Sequence, residues 1–247
     1  MFKSPLITIG ITCYNSRLTI KRALLSGINQ NWSNKEIVIV NDFSEDNTIE
    51  IINEISKKIN IIRLINHDKN YGCAQSRNTL IKNAKGEFIA FFDDDDFSRE
   101  DRLLIQYNRI IKYEKISKTK LIACYTSGEK VYPNGYIKKF NAVGFNNSSI
   151  IGKNMSDFLL FNKKNSDSNY GNGAPTCSLM ARKDVFTEVG YFDPKLSRQE
   201  DIDFAIRLGF KGGHFIGAAE KIISQYSTSR PNKNADMELE SSNSISA

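Results

Sequence analysis

The stretch from residue 87 to residue 96 reads EFIAFFDDDD, and it indicates both a fold class and a place to look for function. Its first six residues, 87–92, are rich in aromatic and branched side chains and follow Ala84-Lys85-Gly86, which predicts a buried strand. Asp93 to Asp96 then emerge at the carboxyl end of that strand. Carboxylates this close repel one another unless water or a divalent cation such as Mg²⁺ or Mn²⁺ screens them. An acidic surface turn is the alternative, because runs of like charge are usually solvated.

A repeated unit surrounds this stretch and indicates an α/β fold. Through the first hundred residues, a short apolar run is followed by a polar turn and then by apolar side chains at helical spacing, which predicts successive β-α units. The predicted strands cover 6–12, 36–40, 61–65 and 87–92. Ser44 is the predicted N-cap of the second helix, ahead of two acidic residues that suit its positive end. The fold class is therefore a Rossmann-like, mostly parallel sheet flanked by helices.

Polar residues follow every one of these strands. Thr12 and Asn15 follow the first, Asn41-Asp42 the second, Asn66-His67-Asp68 the third and the four aspartates the fourth. Since ligands of such sheets bind outside the carboxyl ends of the strands, these side chains are expected to converge on one edge. Neither a G-x-G-x-x-G turn nor a G-x-x-x-x-G-K-[ST] loop occurs in the chain. A phosphate bound there would therefore need a metal to carry its charge.

The second half of the chain has shorter apolar runs and a different pattern. Asn134-Gly135 lies between two short strand-like segments, 130–132 and 136–138, which is a strong signal for a β-hairpin. Residues 162–174 are rich in Asn, Ser, Lys and Gly and predict a long exposed loop, of the sort that often covers a binding site. A strand is predicted at 176–181. Glu200 and Asp201 then stand in the first turn of a predicted helix.

Size and charge limit the classes of partner. The 247 residues allow one large domain, or one domain with a small annex, and the formal net charge is +6. A basic surplus favours anionic partners such as phosphorylated ligands or acidic membrane surfaces. Nucleic acid is not expected as a partner, because the lysines are spread through the helices and form no basic stripe with stacking aromatics.

The chain shows no targeting signal and no cysteine framework. It has no run of about 18 apolar residues, and its start lacks the apolar segment of a signal peptide. Its four cysteines, Cys13, Cys73, Cys124 and Cys177, have no metal-ligand spacing and are predicted to be buried, small apolar residues in a reducing compartment. The expected location is the cytoplasm, with peripheral contact at the inner face of an anionic membrane.

The ordered fragments ITIGITCYNS, EIVIVNDFSED, NYGCAQSRN, GEFIAFFDDDDF and QEDIDFAIRLGFKGG together identify a resemblance. The chain resembles the family 2 glycosyltransferases from Leu6 to about Gly213, and that family has the GT-A fold. The resemblance implies a single domain over residues 1–230. Its nucleotide-binding half would span 1–115, and its smaller acceptor-binding half, containing the hairpin, would span 116–230. Residues 231–247 are predicted to be a polar, disordered tail.

The resemblance also implies roles for residues on the donor side. Asp42 would read the nucleotide base, and the usual Asp-Asp pair is Asn41-Asp42 here. Thr12 would lie beside the base and ribose, and Arg77 would lie near the nucleotide. The family's Asp-x-Asp metal motif falls on Asp93-Asp94-Asp95, which gives Asp95 and Asp93 as metal ligands, Asp94 near the ribose and Asp96 as packing support. The implied cofactor is Mn²⁺ or Mg²⁺.

Asp201 would be the catalytic base, with Glu200 as a neighbouring contact to the acceptor. The family often has a histidine in the region that reads Ser224-Gln225-Tyr226-Ser227 here, so one protein ligand of the metal is unidentified. His67 and His214 are predicted to be structural or exposed. Without the resemblance, Asp201 could be an acid that complements a helix dipole, Asp42 could cap a turn and Arg77 could be a surface cation.

The implied activity is an inverting, metal-dependent transfer of a hexosyl group, in the general class EC 2.4, as in the biosynthesis of cell-surface polysaccharides. The donor would be a nucleotide-sugar, expected to be a UDP-sugar, and the acceptor a glycan or a lipid-linked saccharide. Two alternatives stay open. One is a sugar nucleotidyltransferase, although its glycine-rich entry loop is absent after the first strand; the other is a non-catalytic module that binds nucleotide or glycan.

Overall fold

The computed structural model describes residues 4–166 and 168–226. In its first part, strands alternate with helices: β1 (Ile7–Cys13), α1 (Ile20–Ile28), β2 (Lys35–Asn41), α2 (Thr48–Ser56), β3 (Ile62–Asn66), α3 (Cys73–Asn83), β4 (Phe88–Asp93), β5 (Phe97–Ser98) and α4 (Arg102–Ser117). The second part contains β6 (Ile122–Val131), β7 (Ile137–Phe140), β8 (Ser149–Ile151), α5 (Lys153–Phe161), a 3-10 helix (Thr176–Ser178), β9 (Met180–Arg182), α6 (Lys183–Val189), α7 (Glu200–Phe210) and β10 (His214–Tyr226).

All the described strands belong to one sheet, with the main order β3-β2-β1-β4-β9-β6-β10-β5 and with β7 and β8 paired to β6 and β10. The long pairings are parallel: β2 with β3, β1 with β2 and β4, and β6 with β10. Short β9 runs antiparallel between β4 and β6, which joins the two parallel blocks. The β-α units therefore form one side of the sheet, and the later strands extend it.

Both faces of the sheet are buried, because side chains alternate along each strand. Ile7, Ile9 and Ile11 of β1 belong to a core shared with α1, α2 and α4. The opposite face buries Ile89 and Phe91 of β4 against α3, α6 and α7. The near-continuous apolar strands of the sequence therefore have a physical cause, since a sheet covered on both faces has no polar side.

The main features predicted from the sequence are confirmed. The four predicted strands, β1 to β4, lie within one residue of their predicted bounds, the sheet is flanked by helices, and the Asn134-Gly135 turn joins β6 to β7 as an antiparallel hairpin. No helix in the described ranges 4–166 and 168–226 is long and apolar enough to cross a membrane. The predicted tail at 231–247 lies outside the described residues.

Two local predictions were wrong. Ser44 does not cap α2, which begins after Asn47, and the Ser44 hydroxyl accepts a hydrogen bond from the backbone N–H of Asn15 at 2.9 Å. The segment 176–181 is not one strand, because its first three residues form the 3-10 helix and only Met180 onward pairs in the sheet. In each place a residue bonds to a distant part of the chain, Ser44 to Asn15 and Ser178 to the Gln106 side chain, which local pattern does not reveal.

Candidate active site

The carboxyl ends of β1, β2 and β4 bring the expected polar residues to one edge of the sheet. Thr12 lies in register with Asp93 on one side and with Val40 on the other. Asp42 follows β2 directly, and its backbone N–H donates to the carbonyl of Cys13 at 2.9 Å. The parallel register alone therefore places Thr12, Asp42 and Asp93 side by side.

The carboxylate of Asp42 is almost fully buried and is held by three donors. One oxygen accepts from the backbone N–H of Tyr71 at 2.9 Å, and the other accepts from that of Gly72 at 2.8 Å. His67 Nδ1 lies 2.7 Å from the first oxygen, and its Nε2 lies 3.0 Å from the hydroxyl of Thr79. A carboxylate oxygen can only accept, so Nδ1 carries the proton in this pair. Three of the roughly four acceptor positions of the group are used.

The four aspartates point to different partners. Asp94 is buried and accepts a hydrogen bond from the Ser16 hydroxyl. Asp96 is buried and accepts from the backbone N–H of Tyr226 at 3.2 Å, which ties the end of β10 to the acidic turn. The carbonyl of Asp95 accepts from the guanidinium of Arg22, which stacks on the Tyr226 ring at 3.8 Å. The acidic run is thus a built turn and not a solvated surface segment.

Asp93 and Asp96 meet the thiol of Cys177, which comes from the second half of the chain. One potential ligand atom from each residue lies within 4.8 Å of the others. Burial, together with the nearby carboxylates of Asp93 and Asp95, raises the pKa of Asp96 to about 8. The two carboxylates suit a hard divalent cation such as Mn²⁺ or Mg²⁺, which the acidic motif implies, whereas the sulfur of Cys177 suits a softer metal. Asp95 is not part of this group, and its role as a ligand stays a prediction.

A buried arginine, Arg102, lies close to the acidic turn. Arg102 is fully buried, and its three guanidinium nitrogens donate to Gln106 at 3.0 Å, to the Ser98 hydroxyl at 3.0 Å and to the Phe91 carbonyl at 2.8 Å. Burial lowers its pKa to about 10. These hydrogen bonds involve neutral acceptors, so the charge of Arg102 adds positive potential near Asp93 and Asp96.

Arg77 links the sheet edge to the acidic pair of α7. Its guanidinium forms a buried ion pair with Glu200 and lies 4.0 Å from Asp93. It also lies over the Phe192 ring, 5.4 Å from the centroid. Helix α3, which carries Arg77, sits close to β1 because Gly10 has no side chain, and a Cβ there would lie 2.5 Å from Leu80. The sequence placed Arg77 near a nucleotide; the structure adds that it joins two acidic groups that are far apart in sequence.

Asp201 stands beside Glu200 in the first turn of α7. One of its oxygens accepts from the backbone N–H of Ile202 at 2.9 Å. Burial and the negative charge of Glu200 raise the pKa of Asp201, and Arg77 opposes this rise. A groove of about 680 Å³ opens next to the side chain, lined by residues 158–162 and 171–175 together with Asp201 and Ile202. Asp201 is therefore a carboxyl group of raised basicity at the wall of a groove.

Sequence reasoning missed two contacts of this site. His67 was predicted to be structural or exposed; its bond to Asp42 is such a structural role, but that partner was not foreseen from the sequence. Cys177 was expected to be a small apolar residue, and it is buried but faces two carboxylates. Nothing in its local sequence indicates that contact. The prediction that all four cysteines are buried also fails for Cys73, which is exposed.

Comparison with protein families and curated proteins gives a consistent result. The family model described as glycosyl transferase family 2 matches residues 8–186. An uncharacterized glycosyltransferase of Haemophilus influenzae is 37% identical over 108 residues, which cover 44% of this chain and 43% of the relative. An Escherichia coli enzyme named as a UDP-Glc:α-D-GlcNAc-diphosphoundecaprenol β-1,3-glucosyltransferase is 30% identical over 142 residues, which cover 54% of this chain and 55% of the relative. The chain thus spans about half the length of these relatives.

Solved structures show the same architecture. TarS of S. aureus in complex with UDP superposes with a TM-score of 0.67 at 18% identity, over 90% of this chain and 60% of that one. GalNAc-T7 with UDP, GalNAc and Mn²⁺ gives a TM-score of 0.65 at 17% identity, over 90% of this chain and 44% of that one. At this level of identity the likeness concerns the fold.

Proposed function

The chain belongs to glycosyltransferase family 2 and has the GT-A fold, and from this premise we propose that it catalyses inverting transfer of a hexosyl group from a UDP-sugar to a saccharide acceptor. The observation that carries the proposal is the position of Arg77. One buried guanidinium contacts Glu200 of the acid pair and approaches Asp93 at the end of β4. These contacts support placing the candidate base and the candidate diphosphate site in one centre.

Asp201 is the proposed base. Its carboxylate takes the proton from an acceptor hydroxyl while that oxygen bonds to the anomeric carbon, and the bond from this carbon to the diphosphate oxygen breaks with its electron pair on the leaving group. The attack comes from the face opposite the leaving group, so the configuration inverts. Because the reaction needs ionised Asp201 and burial raises its pKa, activity should fall with decreasing pH at a higher pH than for an ordinary aspartate.

The proposed donor side consists of Thr12, Asp42 and the acidic turn. The carboxylate of Asp42 keeps about one acceptor position, which suits the imide N–H of uracil. Asp94 is proposed to lie near the ribose. Structural neighbours with bound UDP or UDP-GlcNAc support the choice of a uridine nucleotide.

Asp93 and Asp96 are the residues that would hold a hard divalent cation, with Asp95 as a further candidate and the thiol of Cys177 beside them. The bound cation, Mn²⁺ or Mg²⁺, would neutralise charge that develops on the departing diphosphate. A structural neighbour that contains Mn²⁺ together with UDP supports this cofactor. Arg77 and Arg102 add fixed positive charge near the same carboxylates.

The proposed acceptor is a glycan or a lipid-linked saccharide. Two E. coli relatives are named for transfer to GlcNAc-diphosphoundecaprenol, and this supports the lipid-linked choice. Work on such an acceptor would place the chain in cell-surface polysaccharide biosynthesis and bring it to the inner face of a membrane. Peripheral contact with anionic lipid and a cytoplasmic location remain part of the proposal.

The test is a donor screen with Mn²⁺ or Mg²⁺, using UDP-glucose, UDP-galactose and UDP-GlcNAc with a synthetic GlcNAc-diphosphate-farnesyl acceptor. We expect one UDP-sugar to yield UDP and a glycosylated product in equal amounts, with an inverted anomeric centre by NMR. Asp201→Asn should lower kcat by ~10²- to 10⁴-fold, the usual contribution of a positioned base, while UDP affinity stays close to that of the native protein.

Asp203→Asn is the matched control, because Asp203 lies on the same helix and pairs with Arg207 outside the acid pair. It should keep kcat near the native value. Full activity in the Asp201→Asn variant would remove the base assignment. Release of pyrophosphate from UTP and a sugar phosphate would indicate a nucleotidyltransferase, and tight UDP binding without turnover of any donor would indicate a binding module.

A further inference from the structure

The groove beside Asp201 has an unusual wall. Helix α5 ends in four consecutive apolar residues, Phe158-Leu159-Leu160-Phe161. Four adjacent residues point around the whole circumference of a helix, so they cannot all face the protein interior. Phe158 and the two leucines are half-buried, and 72% of Phe161 is exposed. The lip of the groove therefore presents apolar surface to solvent, directly beside the candidate base.

This wall is preformed. The Phe158 ring packs on the buried ring of Tyr170, with centroids 4.4 Å apart. Gly171 passes so close to the 141–142 backbone that a Cβ would lie 2.4 Å from the Asn141 carbonyl. That carbonyl also accepts from the backbone N–H of Asn172 at 3.0 Å. A ligand would enter a groove whose sides are already fixed, so binding would not have to order the loop.

Two cations stand at the same lip. Lys163 and Lys164 follow Asn162, which lines the groove, and both are exposed. The ammonium of Lys164 lies 5.3 Å from the centroid of the Phe158 ring. Within residues 4–166 and 168–226 neither lysine forms an ion pair with an acid. The lip thus combines an apolar strip with two positive charges, and the wall carries the carboxylate of Asp201.

We propose that this groove binds the diphosphate-lipid end of the acceptor, and so selects a saccharide that is joined through diphosphate to an apolar chain. The inference rests on the proposed function and specifies its acceptor. An acceptor hydroxyl must reach Asp201, and the next part of the acceptor then meets Lys163 and Lys164. An apolar chain beyond the diphosphate covers Leu160 and Phe161. A free glycan offers neither the anionic group nor the apolar chain, so it would leave both features without a partner.

The test uses farnesyl diphosphate as a probe, in the presence of UDP and Mn²⁺ so that the donor site is filled, with affinity measured by calorimetry. We expect farnesyl diphosphate to bind more tightly than farnesol or inorganic diphosphate. Phe161→Ser should raise its Kd about tenfold through lost apolar contact. Lys163→Gln/Lys164→Gln should raise it severalfold, with a weaker dependence on salt than in the native protein.

Matched controls come from other exposed surfaces. Phe210→Ser removes a phenylalanine that is 59% exposed at the far end of α7, and Lys112→Gln/Lys115→Gln removes two exposed lysines of α4. Both variants should bind the probe like the native protein. Equal affinity in all the variants, or equal binding of farnesol and farnesyl diphosphate, would overturn the proposal.

Two further outcomes distinguish this inference from membrane contact and from the proposed function. If phosphatidylglycerol vesicles bind through Phe161 and the two lysines but farnesyl diphosphate does not, the surface contacts a membrane and the acceptor proposal is wrong. The donor screen described above, run on the same protein, reports turnover. A protein that binds the probe in the groove but turns over no UDP-sugar would contradict the proposed function and leave the groove assignment in place. Turnover of a UDP-sugar without probe binding would support the proposed function and overturn the groove assignment.

Discussion

The sheet edge that would bind the donor and the groove that would bind the acceptor are held in place by different parts of the structure. At the edge, Thr12 and Asp93 are neighbours through the register of β1 and β4, and Asp42 follows the adjacent strand. In the groove, Asp201 meets α5 and a loop segment, 171–175, that has no regular structure. Backbone pairing therefore aligns one half of the site, while the other half depends on how loops and helices pack.

The two halves meet through buried polar contacts. Arg77 of the first half pairs with Glu200 of the second, and Cys177 of the second half faces Asp93 and Asp96 of the first. Buried charges are costly unless they are paired. Substitutions at these contacts should therefore best test how the two halves are joined.

The largest expected effect comes from breaking the buried pair. Arg77→Met should lower the free energy of unfolding by about 3 kcal/mol, because Glu200 would stay buried with Asp93 and Asp201 nearby and no partner. Adding Glu200→Gln should recover part of that loss, since an amide carries no charge. Urea denaturation measures both values.

The exposed pair Lys153–Asp157 is the control for this double-mutant cycle, because 69% of the Lys153 side chain is exposed. Its coupling energy should be about 0.5 kcal/mol or less. Equal coupling energies for the two pairs would show that Arg77 does not join the halves.

A smaller change in free energy is expected for a substitution on the donor side, where it should affect only the affinity for UDP. Asp42→Asn replaces one accepting oxygen with a donor that faces backbone N–H groups of Tyr71 and Gly72. UDP affinity should fall about 10- to 100-fold, which corresponds to loss of ~1.5–3 kcal/mol for a hydrogen bond to a charged group. Calorimetry should show this loss while farnesyl diphosphate binding is unchanged.

Asp68→Asn is its control, since Asp68 is an exposed acid near the same turn. It should bind UDP like the native protein. Native UDP affinity in the Asp42→Asn variant would exclude Asp42 as a reader of the base.

The smallest effect, on metal binding, is expected at Cys177, where the second half meets the first. In a Cys73→Ser background, which removes the exposed thiol, Cd²⁺ should produce ultraviolet charge-transfer absorption from the Cys177 sulfur. Cys177→Ser should abolish this band and weaken Cd²⁺ binding about tenfold, with less effect on Mn²⁺, which prefers oxygen ligands. Cys124→Ser, at a buried cysteine outside the acidic group, should keep the band. If the band survives in Cys177→Ser, the thiol is not a ligand.

The regular elements were the most predictable part of the molecule. Short apolar runs bounded by polar turns located β1 to β4, and Asn134-Gly135 located the hairpin. The N-cap of α2 was misplaced because Ser44 bonds to Asn15, a residue from another loop. The contact of His67 with Asp42 was not foreseen for the same reason, since Asp42 follows a different strand. Local patterns predict local structure, and these side chains have distant partners.

The sequence by itself determined that four parallel strands end in polar residues and that these residues lie on one edge, because β-α units repeat and parallel strands share a direction. Only the tertiary structure decided that Arg77 would bridge to Glu200, that Cys177 would face two aspartates, and that α5 would form a groove beside Asp201. The physical reason is that pairing of buried charge and packing of loops depend on the whole fold, whereas a strand and its direction depend on a few neighbouring residues.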